Sequence, residues 1–346
     1  MAKLAKRRLT AIDLFSGCGG LTQGLKTAGF NVICAVEIDD KARATYQMNH
    51  PDVVLAGNDI REISTEDLLE YSNLAVGELD LLAGCPPCQG FSTMRRKNRD
   101  VEISDSRNDL IDEFARMAFG LRPKLIMMEN VPAIVKFPKF QCFVKDLIAE
   151  GYSVRYEVLD VAAYGVPQRR KRLILSANRI STAKLAEPLS GFSNVWNAIG
   201  ALPQPGNSGD DVHDLPFRRS EKVQEIIRNI PKNGGSRSSL PASLQLACHK
   251  RGNGFFDVYG RMSWSDVAPT ITSGCTNPSK GRFLHPEQDR AITLREASIL
   301  QGFPLDYRFN VAHGREAISL MIGNALPPSF ISSHAKAMAK SINENN

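Results

Sequence analysis

The chain has 346 residues, of which 42% are hydrophobic and 23% charged, and a net charge of +6. That balance excludes a disordered, collagen-like or coiled-coil chain, and the length allows one large domain or two modest ones. No apolar run approaches the roughly 18–20 residues a membrane span requires, and Leu9 to Phe15 is too short for a signal-peptide core, so a soluble, intracellular protein without a membrane partner is expected.

From residue 9 to about 180, short apolar runs alternate with amphipathic stretches. Leu9–Leu14 reads as a buried strand, Leu21–Ala28 as a helix, Asn31–Glu37 as a strand and Lys41–Asn49 as a helix. The alternation continues with strand Leu79–Ala83, helix Leu110–Phe119, strand Leu125–Met128, helix Lys139–Glu150 and strand Leu173–Ala177. Strands alternating with helices predict βαβ units, and hence an α/β fold on a doubly wound, mostly parallel sheet. The rhythm breaks near residue 180. Clusters of Pro, Gly, Ser and Asn follow, as in Leu202–Gly209 and Pro231–Pro241, with one clear helix, Ser220–Asn229, and short strand candidates such as Ala268–Thr272. Helical patterning resumes at Leu294–Gln301 and closes with Ser329–Ile342. The expected domains are residues 1–185 with 306–346, and a smaller irregular domain over 186–305.

The first strand ends in Ile12-Asp13-Leu14-Phe15-Ser16-Gly17-Cys18-Gly19-Gly20 and leads into a helix. A Gly-rich strand-to-helix turn lets backbone approach a ligand closely, with helix N–H groups aimed at it. Glu37, 24 residues past Asp13, closes the second strand where an acidic residue typically holds a ribose hydroxyl. Asn58-Asp59-Ile60 is placed to meet the base of the same nucleoside. Gly19 and Gly20 are adjacent and position 22 is Thr, a departure from Gly-x-Gly-x-x-Gly that favours a nucleoside cofactor without a pyrophosphate.

Seven cysteines, at positions 18, 34, 85, 88, 142, 248 and 275, are too dispersed for a disulfide scaffold. Two of them lie in Gly84-Cys85-Pro86-Pro87-Cys88-Gln89-Gly90-Phe91-Ser92, just after a strand. A Cys held at a strand's C-terminal edge, in the crevice where α/β proteins bind ligands, is a candidate nucleophile. A zinc or redox role for this Cys-x-x-Cys pair is the other reading, but a structural zinc needs a second pair at close spacing and none exists, so no metal is expected. Met128-Glu129-Asn130-Val131-Pro132 ends another apolar strand and offers a general acid.

Taken together, these segments resemble the cytosine-5 DNA methyltransferase family. The ordered match runs through Asp13–Gly20, Glu37, Asp59-Ile60, Pro86-Pro87-Cys88-Gln89, Glu129-Asn130-Val131 and Gln168-Arg169-Arg170-Lys171-Arg172. It resumes with Arg295-Glu296 and Gln301-Gly302-Phe303-Pro304, and ends with Gly323-Asn324-Ala325. The resemblance implies a Rossmann-like, S-adenosylmethionine-dependent catalytic domain and identifies 186–305 as a target recognition domain. It implies cofactor contacts at Asp13, Phe15, Gly17, Gly19, Gly20, Glu37, Ile38, Asp59, Ile60, Pro87, Leu110, Asn324 and Leu326. Cys88 matches the family's nucleophile, whereas Cys85 stands where Gly is common and reads as structural. Met321-Ile322 and Ala325 depart from the family's usual residues in the last motif.

The chemistry so implied is addition of the Cys88 thiolate at C6 of cytosine, which moves electron density to C5 so that C5 takes the methyl group from the sulfonium. Glu129, as a neutral acid kept so by burial, would hydrogen-bond N3, Arg172 would bind O2, Arg170 would orient Glu129, and Gln168 completes the catalytic set. The target base must leave the double-stranded DNA helix. Gln89, Ser92, Arg95, Arg96 and Lys97 in the loop after Cys88, and Arg237, Arg251 and Arg261 in the second domain, are the expected DNA contacts, with His249, Lys250, Thr272 and Asn277 as further reading candidates. A tRNA cytosine-5 methyltransferase is disfavoured by the absence of Cys-Phe-Thr, and a silent DNA-binding relative by the retained Cys88, Glu129, Gln168, Arg170 and Arg172. A monomeric bacterial or phage enzyme in the cytoplasm, at the nucleoid, paired with a cognate restriction endonuclease, is the expected setting.

Overall fold

The computed structural model describes residues 7–87, 109–246 and 257–343. They divide into two compact units: Met1–Val161 with Lys171–Pro188 and Leu326–Asn346, and Ala162–Arg170 with Leu189–Ala325.

The first unit is built on a seven-stranded sheet in the order β3-β2-β1-β4-β5-β7-β6. Its strands are β1 Thr10–Leu14, β2 Asn31–Val36, β3 Val54–Leu55, β4 Leu81–Gly84, β5 Leu125–Asn130, β6 Ser153–Asp160 and β7 Lys171–Asn178. Strands β1, β4 and β5 are buried along almost their whole length, as near-continuous apolar runs covered on both faces must be. Neighbours from β3 to β5 run parallel, whereas β7 runs antiparallel to both β5 and β6. The sheet is thus the mostly parallel α/β arrangement expected. Strand β6 escaped the sequence reading because it is an edge strand with no fully buried residue, so Ser153–Asp160 carries no apolar run. The reversal of β7 was equally silent, because hydrophobic patterning carries no direction.

Helix α1, Gly20–Thr27, starts from Gly19, which has a positive φ of 98° that glycine adopts without strain. Helix α2, Asp40–Asn49, is capped by Asp39, whose carboxylate accepts from the Ala42 N–H at 2.8 Å. Helix α3, Thr65–Ser72, starts with a reciprocal capping box between Ser64 and Asp67. Further helices span Leu110–Leu121, Pro138–Ala149 and Pro328–Asn343. A core of Ile12, Leu14, Leu82, Phe114, Ile126 and Phe140 lies between the sheet and the helices. None of the described helices is long and apolar enough to cross a membrane.

The second unit is irregular. Its described helices are short, among them Glu221–Arg228, Leu294–Leu300 and Gly314–Asn324. A small core of Ile226, Ile227, Ile230, Leu240 and Leu284 supports its loops. The strand expected at Ala268–Thr272 is only a single bridge between Gln168 and Ala268. The unit is held instead by polar anchors: Arg290 pairs with Glu296 at 2.6 Å, and Arg295 with Asp210 at 2.5 Å. Its boundaries also differ from those drawn on the sequence, since 306–325 packs with this unit.

Gly24 of α1 faces the helix Pro328–Asn343 so closely that a Cβ would lie 2.6 Å from the Pro328 carbonyl oxygen and 2.7 Å from the Ile331 Cβ. Backbone cannot rotate away, so Gly24→Ala should cost about 1–3 kcal/mol and lower the melting temperature by several degrees; an unchanged thermal unfolding curve would contradict this packing.

Candidate active site

The C-terminal ends of β1, β2, β4 and β5 carry the predicted residues of the first unit. The strands' register decides which of them meet. Gly84 pairs with Met128 across β4 and β5, so the next residues, Cys85 and Glu129, emerge side by side. The Cys85 thiol donates to Glu129 Oε2 at 3.2 Å. Asn130 pairs with Leu173 across the antiparallel β5 and β7, which brings Arg172 to the same end of the sheet. Arg172 Nε lies 3.1 Å from Glu129 Oε1, and the Glu129 side chain is only 1% exposed. The turn after β4 is pinned by Asn130, whose amide donates to the Pro86 carbonyl at 2.9 Å while its own Oδ1 accepts from the Val131 N–H at 2.8 Å. Sequence reasoning gave Asn130 no such task, although its place beside Glu129 at the strand end was the available signal.

A second group forms where β1 and β2 end. Glu37 Oε2 accepts from the Gly17 N–H at 2.7 Å and Oε1 from the Asp39 N–H at 2.9 Å. Burial pushes the Glu37 pKa up, and these two N–H groups pull it back down. Each carboxylate oxygen keeps acceptor capacity beyond the one bond described. Phe15, at a positive φ of 61°, holds a conformation that costs a non-glycine residue about 1–3 kcal/mol and that clusters at functional sites. Gly17 has a φ of 55°, and nothing lies within 4 Å of where its Cβ would be. The buried Ser16 hydroxyl has no hydrogen-bond partner among the described residues. Ile38 is 60% exposed beside Glu37. Arg43 ties the Glu37 carbonyl at 3.0 Å to the Gly57 carbonyl and so holds the Asp59 turn next to β2. Open space over Gly17, a buried acceptor at Glu37 and an exposed apolar side chain at Ile38 fit the sugar and base of a nucleoside.

Other predicted positions are placed differently. Asp59 is engaged by Arg61, whose guanidinium lowers the carboxyl's pKa, and Ile60 is buried. Gly19 and Gly20 are buried at the start of α1, Pro87 and Leu110 are half-buried, Leu326 is buried and Asn324 is exposed. In the second unit, Gln168 is fully buried. Its amide donates to the Leu300 carbonyl at 3.1 Å and to Gln301 Oε1 at 2.6 Å, and its oxygen accepts from the Ile271 N–H at 2.9 Å. Gln168 is thus bonded on both amide atoms within the second unit. Arg170 donates to the Ile271 and Gly323 carbonyls at 2.8 and 3.0 Å.

The expectation that Arg261 reads DNA is overturned. Its side chain is fully buried, and its guanidinium donates to the Ile227, Ile230, His285 and Gln288 carbonyls and to Asp289. All five N–H donors of an arginine are thus spent inside the unit. Arg237 is half-buried in a 3₁₀ turn, and Asn277 caps another turn by accepting from the Ser279 N–H at 3.0 Å. Cys88, Gln89, Ser92, Arg95, Arg96, Lys97 and Arg251 lie outside the described residues, as do His249 and Lys250.

A mostly parallel α/β sheet with a nucleoside-fitting edge and a buried acid beside it defines a class, and comparison with known proteins narrows it. Residues 9–340 match the C-5 cytosine-specific DNA methylase family; the chain belongs to that family and is a DNA cytosine-5 methyltransferase. The family's methyl donor is S-adenosylmethionine. The chain is 36% identical to the Type II methylase M.HgiDII of Herpetosiphon aurantiacus, over 96% of this chain and 94% of that protein. It is 32% identical to the Type II methyltransferase M1.HphI of Haemophilus parahaemolyticus, over 96% of this chain and 87% of that protein. Among solved structures, it resembles a DNA modification methyltransferase encoded within an Escherichia coli prophage, with a TM-score of 0.67, 25% identity and coverage of 97% and 99% of the two chains. The Dnmt2 methyltransferase of S. pombe, at a TM-score of 0.63 and 18% identity over 97% and 100% of the two chains, shares the fold.

Beneath the glycine turn, Asp13 is fully buried. Its Oδ2 accepts from the Thr22 hydroxyl at 2.6 Å, and that hydroxyl lies 2.8 Å from Tyr46 OH. Burial pushes the Asp13 carboxyl up to about 7, the Thr22 bond opposes the shift, and the Glu37 charge adds to it. A carboxyl whose folded pKa lies above its unfolded value binds its proton more tightly in the native state, so stability falls as pH rises from about 4 to about 7. Asp13→Asn removes that loss. Measured without cofactor, its melting temperature relative to the parent should therefore rise between pH 5 and pH 8; a difference that does not change with pH would contradict a buried, proton-holding Asp13.

Proposed function

We propose that this chain methylates C5 of a cytosine flipped out of a specific duplex DNA sequence, through a covalent bond between Cys88 and C6. The observation that carries the reading is Glu129, a buried carboxyl at the mouth of the sheet, faced by a cation on one oxygen and by a thiol on the other. A cytosine ring resists addition at C6 unless the charge developing at N3 is met, and a proton held by Glu129 at that atom meets it. Arg172, half-buried beside Glu129, is placed to take the cytosine O2. Cys88 then serves as nucleophile and, once the methyl group is on C5 and a base has removed the C5 proton, as leaving group. S-adenosylmethionine, when bound, supplies an electrophilic methyl group. Glu37, Ile38, Phe15 and Gly17 would hold its nucleoside, Glu37 by accepting from the ribose hydroxyls and Ile38 by covering the base.

The second unit supplies target recognition in this reading, with Arg237 among its DNA contacts, and the basic residues Arg95, Arg96 and Lys97 after Cys88 add phosphate contacts. The enzyme works as a monomer in a bacterial cytoplasm beside a cognate restriction endonuclease, in keeping with the Type II names of the relatives.

Incubation with labelled S-adenosylmethionine, duplex DNA and tRNA tests the proposal. Label should enter DNA, and Cys88→Ser should reduce transfer by on the order of a thousandfold or more while DNA binding persists. Label in tRNA alone, or DNA binding without any transfer, would overturn it.

A further inference from the structure

Cys85 occupies the turn between a buried strand and the proposed nucleophile, and the chemistry assigned to Cys88 and Glu129 makes no use of it. Its position is nevertheless well determined. Its N–H lies 3.4 Å from the Leu14 carbonyl of β1, the following Pro86 is held by Asn130, and the Gly84–Met128 pairing fixes its place opposite Glu129. The thiol points at Glu129 Oε2 and at 3.2 Å is within hydrogen-bond reach for sulfur.

The two oxygens of Glu129 thereby face different environments. Oε1 faces the guanidinium of Arg172, which only donates. A proton on Oε1 would meet that cation. Oε2 faces a thiol, which donates weakly through S–H and accepts weakly through sulfur. A thiol therefore accompanies Oε2 whether that oxygen is bare or protonated, and it gives way to a stronger partner on the substrate. A serine there would donate more strongly to the bare oxygen, and an alanine would donate nothing to it from that position.

We propose that Cys85 is a positioning residue for Glu129, holding the Oε2 edge that carries the proton to N3 of the target base. The inference rests on the reading of Glu129 as the acid, and deepens it by assigning the proton to one oxygen and naming the side chain that holds it.

The test compares the parent, Cys85→Ala, Cys85→Ser and Glu129→Gln in single-turnover methyl transfer to duplex DNA, with DNA affinity and a pH profile of kcat/KM measured in parallel. Cys85→Ala should lower the plateau rate by about twofold to tenfold with DNA affinity unchanged, the size expected for one lost hydrogen bond. Cys85→Ser should stay within about twofold of the parent, because it keeps a donor at the same place. The alkaline limb of the profile should move up by about half a pH unit in Cys85→Ala, which withdraws a donor from the carboxylate, and down in Cys85→Ser, which strengthens one. A Cys85→Ala enzyme with the parent's plateau and limb, or a Cys85→Ser enzyme that behaves like Cys85→Ala, would overturn the assignment. If Glu129→Gln loses transfer in that same series, the acid reading stands and only the role of Cys85 falls. A Glu129→Gln enzyme as fast as the parent would overturn both.

Discussion

The site depends on strand register across β4, β5 and β7. Cys85 and Glu129 are neighbours because two parallel strands pair Gly84 with Met128, and Arg172 joins them because β7 runs backwards and pairs Leu173 with Asn130. A slip of one residue in either pairing turns every side chain to the opposite face, so the groups could not then converge. Leu82, Ala83, Ile126, Met127, Leu173 and Leu175 are buried along these strands, so a slip would also have to repack the side chains on both faces of the sheet. The core of this unit and its candidate chemistry are therefore one construction, since the packing that stabilises the sheet also aims the polar groups at its edge.

The nucleoside edge follows the same logic on the other side of β1. Open α/β sheets bind ligands outside the carboxyl ends of their strands, where backbone N–H groups lack strand partners. Here the Gly17 N–H is taken by Glu37, so the carboxylate is fixed by the turn that would carry the ligand. Asp13, Thr22 and Tyr46 form a buried polar support underneath, and His50 reaches the Gly19 carbonyl from below at 3.3 Å. Burial and the charge of Lys26 push His50 down to about 4, which keeps it neutral in this role.

Much of this was legible in the residues alone. The apolar runs around Ile12, Leu82 and Ile126 marked three central strands, and the Gly17–Gly20 turn, Glu37 and Glu129 stood out because polar or flexible residues end otherwise apolar segments. What was not legible came from three-dimensional pairing. The direction of β7 leaves no trace in hydrophobicity, and the meeting of Cys85 with Glu129 depends on a register that joins residues 44 apart. Arg261 misled because an arginine in a loop-rich segment reads as a DNA contact, whereas a short-helix domain with a small core uses it to tie the carbonyls at the end of the helix Glu221–Arg228 to those of the 285–288 turn. The internal bonds of Gln168 were likewise not legible, because they join it to residues more than 100 positions away.

In the proposed mechanism a carboxyl fixed at the end of β5 makes the cytosine ring accept a thiolate. Mixing the enzyme and S-adenosylmethionine with a duplex carrying 5-fluorocytosine at the target position, and following the protein by mass spectrometry, tests it directly. A stable adduct is expected on the peptide containing Cys88, forming much more slowly when Glu129 is replaced by Gln. Failure to trap any adduct, or trapping by Glu129→Gln at the parent's rate, would contradict it.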